Sequence, residues 1–186
     1  MTPSASVGGD ERLRLFLGFP LPSAAGRELS AWQLAELGAP GVRIVPPENL
    51  HVTIAFLGPR PADETWPIAA ALRASVEGVA PPVLAPERYR ETRSVGMLVL
   101  DDEGERATRI AEDAQRRLDE LGVYERERRP WLPHLTVVRF RERPRLRPSM
   151  PDLGPVTMSD AAVYMSRLRP TGAQYEVVES VPLGGG

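Results

Sequence analysis

A chain of 186 residues, 42% hydrophobic and 26% charged with a net charge of −2, has the make-up of one globular domain or two closely packed lobes. It holds no cysteine and its 23 basic residues are all arginine. Disulfides, thiol nucleophiles, thiolate metal sites, lysine Schiff bases and a GxxxxGK(S/T) phosphate loop are thereby excluded. Mild acidity argues against a general nucleic-acid coat protein but leaves room for a local basic patch.

Residues 1–11, small and Gly-rich, are expected to form a disordered tail. They lack a charged segment followed by an apolar one, so no secretory signal is expected and the cytoplasm is the expected location. No apolar run approaches the roughly 20 residues of a membrane span. Leu13 to Phe19 reads as a strand ended by Pro20-Leu21-Pro22. Ser23 then reads as the N-cap of a helix running to about Leu37, with Gly38 as its stop. Val42 to Val45 and Leu50 to Leu57 are the next strands, and a helix is expected from about Asp63 to Val79. Strands follow near Val83–Arg90 and Gly96–Leu100. A second long helix runs from about Glu105 to Leu121, with Ile110, Ala114, Leu118 and Leu121 at helical spacing. After Pro133 comes a strand from His134 to Phe140. An arginine- and proline-rich connection, Arg141 to Gly154, leads to strands near Val156–Met165 and Gln174–Leu183, and residues 184–186 form a tail. This irregular mixture, with hairpin-like pairs, predicts an α+β fold with antiparallel sheets.

The chemistry concentrates in two short strands that read as copies. One is His51-Val52-Thr53-Ile54-Ala55-Phe56 and the other His134-Leu135-Thr136-Val137-Val138-Arg139-Phe140. Side chains alternate across a strand, so each copy presents an imidazole beside a hydroxyl on one face, backed by apolar residues on the other. These are the only two histidines, 83 positions apart, and both fall in the same context. A lone strand histidine is more often structural than catalytic; the repetition is what favours a catalytic pair. A zinc site would need carboxylate ligands, and no HExxH spacing occurs. Imidazole titrates near pH 6.5, so one ring can serve as general base while the other serves as general acid. With Thr53 and Thr136 donating to non-bridging oxygens, the set suits in-line displacement at a phosphodiester.

Longer stretches carry a resemblance. They are Arg14-Leu15-Phe16 with Leu21-Pro22, Val45 to Gly58 around the first motif, Arg129 to Thr136 around the second, and Tyr164 to Leu168 with Gly172 to Tyr175. Over about residues 12–183 the chain resembles the two-histidine phosphoesterase superfamily, and within it the RNA 2′,3′-cyclic phosphodiesterases once called 2′-5′ RNA ligases. The resemblance implies a single bilobal domain over residues 12–183. Its two pseudo-symmetric lobes would each be an antiparallel sheet with helices outside, forming a V-shaped cleft. It implies an RNA with a 2′,3′-cyclic phosphate end, tRNA-like or an oligoribonucleotide, as substrate, and hydrolysis to a 2′-phosphomonoester. His51 would be the proton donor to the leaving 3′ oxygen and His134 the proton acceptor that activates water. The reverse reaction would join such an end to a 5′-hydroxyl without ATP. No cofactor, metal or membrane is implied, and a monomer is expected.

Arg139 closes the second motif, where the family usually carries an arginine, and is a further candidate for holding phosphate. Strict alternation from His134 puts it on the wrong face, so a bulge would be needed to aim it at the cleft. Eight arginines against two acidic residues lie between Arg126 and Arg147, most of them readable as a solvated loop. Trp131 and Phe140 are base-stacking candidates, Phe140 because alternation gives it the face of Thr136; Phe56 is assigned to the face of Ile54. Trp32 and Trp66 are expected in the core, and Ser166 and Tyr175 in structural roles. Two rival readings are a phosphodiesterase for a small cyclic phosphate, such as a cyclic nucleotide or ADP-ribose 1″,2″-cyclic phosphate, and a non-catalytic RNA-end binding module.

Overall fold

Leu15, Leu17 and Phe19 alternate with Phe16 and Gly18 along the first strand, β1 (Arg12–Pro20), and both of its faces are covered. The computed structural model describes residues 12–184; the expected N-terminal tail and residues 185 and 186 lie outside it. After β1 come helix α1 (Ser23–Glu36), β2 (Val42–Ile44), β3 (His51–Pro61), α2 (Thr65–Val76), β4 (Val83–Glu91) and β5 (Val95–Asp102). Then follow α3 (Arg106–Glu120), β6 (His134–Phe140), β7 (Val156–Thr157), β8 (Asp160–Arg169) and β9 (Gly172–Pro182).

The strands form one curled antiparallel sheet in the order β7-β4-β5-β6-β3-β1-β8-β9, with β2 on a free stretch of β6. Its halves, β6-β5-β4-β7 and β3-β1-β8-β9, are each antiparallel and join through a single residue pair, Val52 with Leu135. Beyond that pair β3 and β6 part, and β2 takes the edge of β6 that β3 has left. The expected α+β architecture with two half-sheets meeting at a V is what the chain adopts, with the halves continuous through this seam.

One core runs the length of the sheet. Leu15, Val52, Leu98, Leu135 and Val163 meet Leu29, Ile68, Leu72, Ile110 and Leu118 from the three helices, all essentially inaccessible to water. Helix α3 shows how the sequence drives this. Ala107, Ile110, Ala111, Ala114 and Leu118 recur at helical spacing and are buried, while Asp113, Arg116, Arg117 and Glu120 form ion pairs on the outer side. The Asp102 carboxylate accepts from the amides of Ala107 and Thr108 at its first turn, a favourable place for negative charge.

Two expectations about the helices need correction. Ser23 is the first residue of α1 and caps nothing; Pro22 precedes it and supplies the carbonyl for the amide of Gly26. Trp66 lies at the start of α2 with 73% of its surface exposed, because Ile68, Ala69 and Leu72 are the residues that turn inward. Trp32 is partly buried against the core, its indole N–H donating to the carbonyl of Ser149.

Candidate active site

Val52 and Leu135 face the core, so their strand neighbours His51, Thr53, His134 and Thr136 all lie on the opposite face, inside the V. Extending the antiparallel register sets His51 opposite Thr136 and Thr53 opposite His134. Each imidazole thus has one threonine on its own strand and another across the seam. Gly18 allows β1 to lie close here, since a Cβ at that position would come within 2.9 Å of the Val52 carbonyl and 3.3 Å of the His51 ring.

Both rings are oriented in the same way. His51 Nδ1 lies 2.8 Å from the carbonyl oxygen of Asn49, and His134 Nδ1 lies 2.8 Å from that of Leu132. A carbonyl can only accept, so Nδ1 carries the proton in each ring and Nε2 is left for the cleft. His51 Nε2 is 3.1 Å from Thr53 Oγ1, which donates to it when the ring is neutral. The surroundings of the two rings differ. His51 sits beside Phe16, Tyr164 and Tyr175, with ring centroids 4.8, 5.8 and 5.3 Å away; the last two tyrosines come from β8 and β9. Burial lowers its pKa to about 4, the Asn49 carbonyl opposes that shift, and the positive charges of Arg139 and His134 add to it.

A β-bulge follows each motif at the same place. Along β3 the partners on β1 run from Thr53 with Gly18 to Ala55 with Leu17, leaving Ile54 as the extra residue. Along β6 the partners on β5 run from Thr136 with Met97 to Val138 with Gly96, leaving Val137 extra. Two consecutive residues therefore face the core in each strand, Ile54 with Ala55 and Val137 with Val138, and the alternation resumes inverted. Arg139 consequently turns to the cleft face, as its candidate role requires. Phe140 turns into the core with 7% exposure, which removes it as a stacking candidate. Phe56 takes the opposite course and stands 53% exposed on the cleft side, with the Arg14 guanidinium 5.5 Å from its ring centroid. Bulges have no reliable mark in a single sequence, so the two phenylalanines exchange the faces that strict alternation assigns.

A cavity of about 550 Å³ opens beside His134 and Thr53, with Phe56, Arg90, Met97, Trp131 and Leu132 in its wall. Trp131 does two things at once. Its indole N–H donates to the Thr53 carbonyl, 3.0 Å away, and its ring lines the cavity. Arg43 and Arg139 are direct partners in the β2–β6 register, and neither has a carboxylate partner among the described residues. Elsewhere in the arginine-rich stretch two side chains pair with carboxylates among the described residues. Glu91, nearly buried, accepts from Arg143 Nε and from the amides of Arg145 and Leu146, tying the connection after β6 to β4. Arg129 pairs with Glu127 in solvent. Tyr175 packs edge-on against His51, and Ser166 is buried in β8. Among the described residues no group of three or more His, Asp or Glu side chains is placed to hold a metal ion, and no helix is long and apolar enough to cross a membrane.

Two imidazoles and two hydroxyls thus share one face of an antiparallel seam, the arrangement expected of a two-histidine phosphoesterase. A family model, LigT-like phosphoesterase, matches residues 19–88. The RNA 2′,3′-cyclic phosphodiesterase of Thermus thermophilus is 30% identical over 184 residues, covering 93% of this chain and 91% of that one. The protein of the same name from Methanocaldococcus jannaschii is 23% identical over 175 residues, covering 90% and 99%. E. coli LigT complexed with 3′-AMP superposes with a TM-score of 0.81 at 20% identity, covering 94% of this chain and all of that one. A Thermus thermophilus structure superposes at 0.77 with 28% identity, over 93% and 99% of the two chains. The chain belongs to the LigT-like family of two-histidine phosphoesterases.

Proposed function

We propose that the protein hydrolyses 2′,3′-cyclic phosphate ends of RNA to 2′-phosphomonoesters by acid–base catalysis that needs no metal. The observation that carries this reading is the pair of imidazoles, each with Nδ1 engaged by the carbonyl two residues before it, and each with Nε2 turned to the seam between Thr53 and Thr136, that of His51 meeting the Thr53 hydroxyl. A cyclic phosphate in that seam would have its non-bridging oxygens held by the two hydroxyls and the Arg139 guanidinium. One Nε2 takes a proton from water as it attacks phosphorus; the other gives a proton to the 3′ oxygen as the P–O bond breaks. Each such proton transfer is worth roughly 10²–10⁴-fold. The named relatives, both RNA 2′,3′-cyclic phosphodiesterases, support the substrate class. The reverse reaction, joining a cyclic end to a 5′-hydroxyl, follows from the same chemistry.

In this reading His51 is the donor and His134 the acceptor. A ring with a pKa near 4 is neutral at pH 7, so His51 must take up its proton together with the phosphate, whose negative charge favours the imidazolium. The same low pKa favours a second reading with the roles exchanged, in which the resting His51, already neutral, is the base. A p-nitrophenyl phosphodiester separates the two, because its leaving group needs no proton: the variant lacking the acid recovers activity on it, and the variant lacking the base does not.

The substrate is tested by comparing an oligoribonucleotide bearing a 2′,3′-cyclic phosphate, the cyclic mononucleotide and ADP-ribose 1″,2″-cyclic phosphate, with the products read by ³¹P NMR. Preferred turnover of the oligonucleotide to a 2′-phosphate supports the proposal. Preference for either small ester supports the small-substrate rival, and tight binding with no turnover supports the binding module.

A further inference from the structure

Resting on that reading, we infer that Gln33 and Gln115 are a matched pair of positioning residues, each holding the bulge behind the HxT motif in the opposite half of the molecule. The extra residue of a bulge sits outside the regular ladder, so its carbonyl needs another donor. For Ile54 that donor is Gln115 Nε2, 2.8 Å away; the Val137 carbonyl accepts from the Val45 amide at 3.0 Å and from Gln33 Nε2 at 2.7 Å. Ile54 and Val137 occupy the same position, three residues after His51 and His134, and the two glutamines are 82 positions apart in sequence.

The reach is crossed. Helix α1 follows β1, a strand of the β3 half, yet Gln33 bonds to β6. Helix α3 follows β5, a strand of the β6 half, packs on β3, and its Gln115 bonds there. Gln33 also donates to the carbonyl of Val45, whose amide in turn donates to Val137, so the β6 bulge is held by a closed set of three bonds. Gln33 is wholly buried among apolar side chains, a costly place for an amide unless its hydrogen bonds matter.

What these bonds hold is the phase of the strand. Alternation puts the threonine hydroxyl beside the imidazole, and the bulge that follows returns Phe56 or Arg139 to the cleft face. If a bulge relaxed into regular pairing, the residues beyond it would change faces. Gln33 is buried away from the cleft, while Gln115 also lines the cavity beside His134 and Thr53; each acts on the strand that carries a motif, Gln115 on that of Thr53 and Phe56 and Gln33 on that of Thr136 and Arg139.

Gln115 is the better one to vary, since it is only half-buried. Gln115→Leu removes the donor. Gln115→Glu keeps the shape but cannot donate while ionised, and regains an O–H donor when protonated. Both variants should fold as the wild type does and lose about 10- to 100-fold in kcat, with KM within a few-fold. For Gln115→Glu the ratio to wild-type kcat should climb as the pH falls toward 5, and Gln115→Leu should show no such climb. In double variants the Gln115→Leu loss should largely vanish on a Thr53→Ala background and persist in full on Thr136→Ala. Wild-type kcat in both variants, or coupling to Thr136 instead of Thr53, would overturn the inference.

A wild type without turnover would sink the proposed function, and the positioning would then be read by NMR. With only two histidines in the chain, the ¹⁵N imidazole spectrum is simple. Gln115→Leu should move the His51 Nε2 resonance, which reports the Thr53 bond, and leave His134 in place; an unmoved His51 refutes the positioning.

Discussion

His51 and His134 share a motif, a face and a bond to the carbonyl two residues before, yet only His51 is enclosed by aromatic rings. Its lowered pKa has a consequence for stability with a definite sign. Unfolded, the ring takes its proton near pH 6.5; folded, it does so only near pH 4. Between those values the unfolded chain binds more protons, so stability falls as the pH drops through that window, by up to about 3 kcal/mol if the shift is fully expressed. His51→Gln should flatten this loss, seen in urea midpoints measured from pH 7 to pH 4; an unchanged acid profile would mean the ring is not held neutral. The exchanged phenylalanines make a second residue-scale test. Phe140→Ala empties a buried site and should cost about 3 kcal/mol or more. Phe56→Ala removes an exposed ring and should leave stability within about 1 kcal/mol while raising KM, as calorimetry and initial rates would show. At this scale much was legible: a period of two was enough to put His51, Thr53, His134 and Thr136 on one face. Phe140 was misread because the alternation was carried past a point where the strand departs from it.

Among the elements, the inner strands owe their function to irregularity. Helices and strands could be found from apolar spacing, prolines and glycines, but the bulges at Ile54 and Val137 arise from contacts made across the fold, and Gln33 and Gln115 read in sequence as ordinary polar positions on helices. A repeat of glutamine at nearly the spacing of the histidines was the one available signal. Trp66 fails for a related reason: α2 buries Ile68, Ala69, Ala71, Leu72 and Val76, and the largest apolar side chain on the helix faces out. Behind β6, Gly96 lets Tyr89 and Val138 close over the strand, since a Cβ there would overlap the Tyr89 hydroxyl and lie 2.7 Å from a Val138 methyl. Both obstacles belong to packed side chains, so Gly96→Ala should cost roughly 1–3 kcal/mol. Denaturant titration of the variant checks this, and a neutral result would mean that Tyr89 can move aside freely.

At the scale of the whole molecule, two half-sheets joined through Val52 and Leu135 bring residues 83 positions apart into one site. The duplication was visible in the two HxT strands; the reach of Gln33 and Gln115 into the opposite half was not, because nothing local marks which strand a helix's polar side chain will meet. On the proposed mechanism neither half could act alone, since each supplies one imidazole and one hydroxyl. The most direct test is therefore turnover of an oligoribonucleotide with a 2′,3′-cyclic phosphate end, in EDTA, by the wild type, His51→Ala and His134→Ala, with each variant's fold verified by thermal unfolding. Full wild-type activity in chelator, with a loss of at least about 100-fold in kcat for each alanine variant, is the predicted result. Near-normal turnover by either variant, or loss of wild-type activity in EDTA, would contradict it.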